Sequence, residues 1–233
     1  MGTHRTRRTT RKPAYRPTFK GACEAYVSAL TNANKDRDDH RTHTDAHAAR
    51  PLQRVDIVRL STNIMVVDQE DGVLLGRPTA ALCVDHLLHY PLGFEFDYGP
   101  PTVHGDMRSL YRSIQAKGDV MKLYGCTHNW TAFGVPHAVA LRHDVGTVAD
   151  YRAVYQACGA LGITVLHSSA GPSRACGDWE RLTEMLAAEP LPAIRAMAVP
   201  VPQSRDDTRV PGPCVFEDDL RGLVTRVLVD VFA

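Results

Sequence analysis

The sequence predicts an α/β fold: a three-layer sandwich with a mainly parallel sheet, an antiparallel hairpin at one edge and a disordered basic N-terminal tail. Three observations predict it. From about residue 106 onward, short β-rich runs alternate with runs of helical periodicity, the pattern of strands joined by covering helices. Before them, two β-rich runs flank Asp71-Gly72, a dipeptide suited to a hairpin turn. The first acidic residue is Glu24, and Arg5, Arg7, Arg8, Arg11, Lys12, Arg16 and Lys20 all precede it.

Taken in order, residues 1–18 form a basic tail in which Pro13 and Pro17 oppose helix. Residues 19–51 hold a short amphipathic helix, with Phe19, Cys23, Tyr26, Val27 and Leu30 at helical spacing, and then a polar linker. Residues 52–233 form a single α/β domain. "RVDIVRL" reads as a strand and "NIMVVDQEDGVLLG" as the hairpin. "PTAALCVDHLLHY" reads as a helix, with Pro78 in its first turn and Leu82, Leu87 and Leu88 on its apolar stripe. "GFEFDYG" alternates as a strand does. "DMRSLYRSIQAKG" reads as a helix capped by Asp106 and stopped by Gly118.

"DVMKLYG" and "HAVALRH" read as strands, and "TVADYRAVYQACGALG" as a helix between Thr147 and Gly162. Strand "ITVLHS", helix "CGDWERLTEMLAAE" and strand "AIRAMAVPV" follow. The last helix, "FEDDLRGLVTRVLVDVFA", has acids in its first turn and Phe216, Leu220, Val224, Val227 and Val231 along one face.

Composition sets limits on function. At 44% hydrophobic and 23% charged residues the chain has ordinary globular usage. No apolar run approaches the length of a bilayer span. The net charge of +1 conceals a basic tail on a body that carries 20 basic against 26 acidic residues. That asymmetry reads first as a plain solvated tail, then as a tail for an anionic partner, a membrane surface or nucleic acid, and last as an Arg-rich, acid-free transit peptide. The tail also matches the M-G-x-x-x-[ST] acceptor pattern for myristate, with Gly2 and Thr6. Six cysteines without a CxxC pair read as reduced thiols in an intracellular protein, cytosolic or at a membrane periphery.

Ligands in open parallel sheets bind beyond the carboxyl ends of the strands. Three consecutive expected strand ends are polar. Cys126 and His128 follow "VMKLYG", His143 and Asp144 follow "HAVALR", and His167, Ser168 and Ser169 close "ITVL" ahead of Ser173. Converging there, Cys126 is a candidate nucleophile with His128, His143 or His167 as base and Asp144 as its orienting carboxylate. The same thiol and imidazoles are candidate zinc ligands. Ser168, Ser169 and Ser173 offer hydroxyls to an anion. His43 and His47 in the linker have metal-chelating spacing, but without a folded scaffold to hold them they read as part of a solvated linker.

One stretch, "LRHDVGTVADYRAVYQACGALGIT", resembles the first motif of polysaccharide deacetylases, in which a His-Asp strand end precedes a helix and a Gly-Ile strand. That family's second motif aspartate has Gly146 in its place here, and Gly171 stands where a second metal-binding histidine belongs, so the resemblance does not carry the activity with it. The expectation from sequence is therefore an enzyme-like domain that binds a small polar or anionic ligand, with hydrolase chemistry. The alternative is a non-catalytic scaffold or assembly protein tethered through its basic tail to membrane or nucleic acid. No motif names a cofactor.

Overall fold

The computed structural model describes residues 48–100, 102–142, 148–168 and 214–231, together with Ala198. Among them the order is β1 (Val55–Ser61), β2 (Met65–Val67), β3 (Leu74–Gly76), β4 (Pro78–Asp85), β5 (Pro91–Tyr98), α1 (Val103–Ile114), α2 (Val120–Tyr124), β6 (Ala138–Arg142), α3 (Val148–Ala160), β7 (Thr164–Ser168), β8 (Cys214–Phe216) and α4 (Glu217–Asp230).

Five strands make the main sheet, in the order β5-β4-β1-β6-β7. β1 lies at its centre. It pairs antiparallel with β4 and parallel with β6, so that Asp56 stands level with Val84 on one side and Ala140 on the other. The β4–β5 pair is antiparallel and the β6–β7 pair parallel. The expected hairpin forms as β2 and β3, but it pairs with β8 in a separate three-stranded sheet and does not extend the main one. Among the described residues the fold is thus α/β with sheets of mixed direction, the main sheet having two parallel and two antiparallel pairings.

Alternation along the strands divides the interior into two cores. Leu60, Ala80, Leu82, Val84, Phe94 and Phe96 pack with Leu220, Leu223, Val224 and Val227 of α4. Val55, Ile57, Ala81, Cys83, Val139 and Leu141 pack with Val103 and Leu110 of α1 and Val154 and Cys158 of α3. Helices therefore cover both faces of the main sheet. From Gly222 to Val229 every residue of α4 is buried, a wider apolar contact than its one predicted stripe.

Two elements correct the sequence expectation. "PTAALCVD" is strand β4, not a helix. Its run from Ala80 to Asp85 is buried throughout, because it serves a core on each face; a short continuous apolar run is compatible with either structure. "VMKLY" is helix α2, not a strand. The Asp119 carboxylate accepts from Lys122 N at 3.0 Å and Gly125 closes the turn with φ 70°, the glycine conformation that ends helices. The boundary of α1 also moves. Thr102 is its N-cap, with Oγ1 accepting from Gly105 N at 3.0 Å, and Asp106 lies in the first turn. The expected elements of residues 1–47, the helix "CGDWERLTEMLAAE" and the strand "AIRAMAVPV" lie outside the described residues.

Gly93 sets the distance between α1 and β5. A Cβ there would lie 2.7 Å from Ser113 N and 2.9 Å from the Arg112 carbonyl carbon, both backbone atoms that cannot rotate away. Gly93→Ala is expected to destabilise the domain by about 2 kcal/mol through overpacking, read as a lowered denaturation midpoint at unchanged m-value.

Candidate functional site

Of the strand-end site expected from sequence, the described residues hold Cys126, His128, His167 and Ser168. The ends of β6 and β7 do lie side by side, with Arg142 paired to Ser168 and Leu141 to His167. His143, Asp144, Ser169 and Ser173 lie outside the described residues. Cys126 and His128 do not stand at a strand end, because the segment before them is helix α2. Cys126 is buried in the α4 core, and burial, reinforced by the Asp230 charge, pushes its thiol up to about 12. It is a protonated thiol at neutral pH, unlike an activated nucleophile. His128 is exposed. Its backbone N–H shares the Asp230 Oδ1 acceptor with Thr127 N, which donates at 2.8 Å. Among the described residues no three metal-ligating side chains gather.

The most developed polar constellation lies at the β5 edge of the sheet. Glu95 and Asp97 are two residues apart on β5, and Arg108 and Arg112 are four apart on α1. Each period places its pair on one face, so the two acids meet the two arginines. Arg112 Nε donates to Glu95 Oε2 at 3.0 Å, and Arg108 Nη2 donates to Asp97 Oδ1. Thr102 Oγ1 also donates to Asp97, at 3.1 Å, joining the helix cap to the same carboxylate. From the opposite face of the sheet, Arg221 of α4 donates to Glu95 Oε1 at 2.6 Å and to Glu217 at 3.0 Å. Its guanidinium also lies 5.8 Å from the Phe94 ring and 5.2 Å from the Phe96 ring.

Burial alone would raise the Glu95 carboxyl. The hydrogen bond and charge of Arg221, then Arg112, outweigh it and hold the group below its ordinary value.

The acids sit deep and the arginines reach out. Asp97 and Glu95 side chains are 11% and 10% exposed, whereas Arg108 and Arg112 are 56% and 52% exposed. A guanidinium has five donors, so each arginine is oriented from behind while keeping donors for solvent. With exposed His104 and Tyr111, these side chains give α1 a basic and aromatic outer face. The sequence reading missed this set. Its signals were present in the i, i+2 acids and the i, i+4 arginines.

Two further carboxylates, Asp106 and Asp56, are also paired. Arg59 on β1 donates to Asp106 on α1 at 2.5 Å (Nη2) and 3.2 Å (Nε), which explains why Asp106 is buried. His86 Nδ1 lies 2.5 Å from Asp56 Oδ2, and Arg54 Nε donates to the other oxygen of Asp56 at 2.9 Å. Asp85 is buried and accepts from Leu52, Leu87 and Leu88 N–H groups, which fixes the turn between β4 and β5. No helix among the described residues is long and apolar enough to cross a membrane.

The chain is thus a mixed α/β domain whose sheet edge presents anchored arginines. Residues 57–192, more than half of it, match the TnsB C-terminal domain, and the chain belongs to that family. A solved structure described as a cryoEM structure of the simian T-cell lymphotropic virus intasome in complex with PP2A regulatory subunit B56 gamma contains a similar chain. Identity to it is 12% and the TM-score is 0.38; the alignment covers 88% of this chain and 59% of that one. No curated protein matches. Family membership overturns the expected small-ligand hydrolase. The stretch that resembles polysaccharide deacetylases falls inside the matched span.

The lowered Glu95 value has a pH consequence. Stability from this carboxylate is fully present above its ordinary value of 4.5 and is lost as pH falls below 4.5 through the depressed folded value. Glu95→Gln, which leaves Arg221 facing an uncharged amide, is expected to cost about 3 kcal/mol at neutral pH. The gap between variant and native chain should close as urea titrations are repeated below that pH.

Proposed function

We propose that this chain is a DNA-associated component of a transposition apparatus, acting by binding and assembly. Its membership of the TnsB C-terminal domain family carries the reading. The α1 face supports it physically. Arginines fixed by buried carboxylates meet a phosphate with little further loss of side-chain freedom, and planar guanidinium groups suit phosphate oxygens. The basic residues between Arg5 and Lys20 supply a second, sequence-independent attraction for the same polyanion. This is the nucleic-acid form of the scaffold reading. Gly2, the candidate myristate acceptor, lies outside the described residues, and nothing in the family match favours a membrane surface over DNA.

The test is anisotropy of a labelled DNA duplex titrated with the full chain at several salt concentrations. The logarithm of the affinity should fall linearly with the logarithm of salt. Replacing Arg108 and Arg112 with Gln should weaken binding and reduce the slope by about 1 for each phosphate no longer neutralised. A chain that binds no duplex at low salt, or whose binding ignores salt, contradicts the reading. Thermal melts of the same variant separate weakened DNA binding from unfolding.

A further inference from the structure

Beside the C-terminal end of α1 the surface opens into a groove of about 750 Å³. Trp130 forms its floor. The indole is 6% exposed, donates Nε1–H to the Pro91 carbonyl at 2.8 Å and stacks on Phe94 with ring centroids 6.4 Å apart. Lys117 lies over this ring, with Nζ 5.4 Å from its centroid. Two of the ammonium protons go to the Arg112 and Gln115 carbonyls, each at 2.7 Å, which leaves a third donor. Lys122, Asn129 and Phe133 complete the polar and aromatic lining; Lys122 and Asn129 are exposed and Phe133 is 48% exposed. The one acid among the described lining residues, Asp119, uses its carboxylate to cap α2.

Three features coincide here. An aromatic side chain, Phe133, is half exposed, an exposed amide side chain lines the same groove, and two ammonium groups outnumber the one acid described there. An acidic peptide would use the lysines but gives no reason for an exposed ring and an exposed amide in the same groove. A base-paired duplex keeps its base faces stacked inside and has none to offer. An unpaired nucleotide uses all three: a planar face, hydrogen-bonding edges and a phosphate.

We propose that this groove receives unpaired nucleotides of DNA, with a base stacked on Phe133 and the adjoining phosphate on Lys122 and Lys117. The inference rests on the DNA-binding reading above and adds to it a second, strand-selective site next to the arginine face. Burial, with Arg112 nearby, brings the Lys117 ammonium down to about 8, so a bound anion would relieve an undercompensated charge.

The experiment compares a short labelled DNA single strand with a blunt duplex, each titrated with the full chain and with Phe133→Ala/Lys122→Ala. Both side chains are exposed, and a thermal melt should confirm an unchanged fold. Single-strand affinity should fall about tenfold, the worth of roughly one stacked base and one phosphate interaction, while duplex affinity holds. Phe133→Tyr with Lys122→Arg, which keeps ring and charge, should restore it. Equal losses on strand and duplex, or no loss on the strand, overturn the inference and leave the DNA reading standing. So does a change in self-association with strand affinity intact, which would make the groove a protein interface. A native chain that binds neither strand nor duplex overturns both.

Discussion

Glu95 is held between two helices on opposite faces of the sheet. Arg112 approaches it from α1 and Arg221 from α4, and the carboxylate accepts from both. A buried charge is costly unless its partners replace the water it has lost. Here the two partners belong to different layers, so satisfying one acid ties both layers to the edge strand. Phe94 and Phe96 pack against α4 on either side of Glu95 in sequence and face the Arg221 guanidinium, which places the ion pair against an apolar wall.

The geometry of the outer face follows from this constraint. Because Glu95 and Asp97 stand on the same side of β5, the arginines they hold are one helical turn apart on α1 and point the same way. Gly93 lets α1 come close enough for those contacts. Thr102, through Asp97, fixes where the helix begins and therefore which residues face outward. The basic surface is thus a product of the sheet edge. Its charge is anchored by carboxylates that sit in the core.

Much of the architecture was legible in the sequence. Asp71-Gly72 gave away its hairpin, and the periodicity of α3 and α4 gave away those helices, because each signal is local. β4 was not legible as a strand. Its burial on both faces removes the alternation that identifies a strand, and Leu82, Leu87 and Leu88 happen to fall at helical spacing. The misreading of α2 then displaced Cys126 and His128 from the site they were expected to share. The arginine face depends on pairing between β5 and α1, which no local pattern reports, although the spacing of each half was visible. Function was the least legible, since Cys126, His128 and His167 carry catalytic residue types, whereas the arginine face arises only from the pairing of β5 with α1.

The most direct measurement is photocrosslinking of the full chain to bromodeoxyuridine-substituted DNA, followed by mapping of the modified peptides. Crosslinks are expected within residues 103–133, on the outer face of α1 and the groove beside it, and they should disappear at high salt. Crosslinks confined to β2, β3 or α4, with none on α1, would contradict a DNA-binding role for the arginine face.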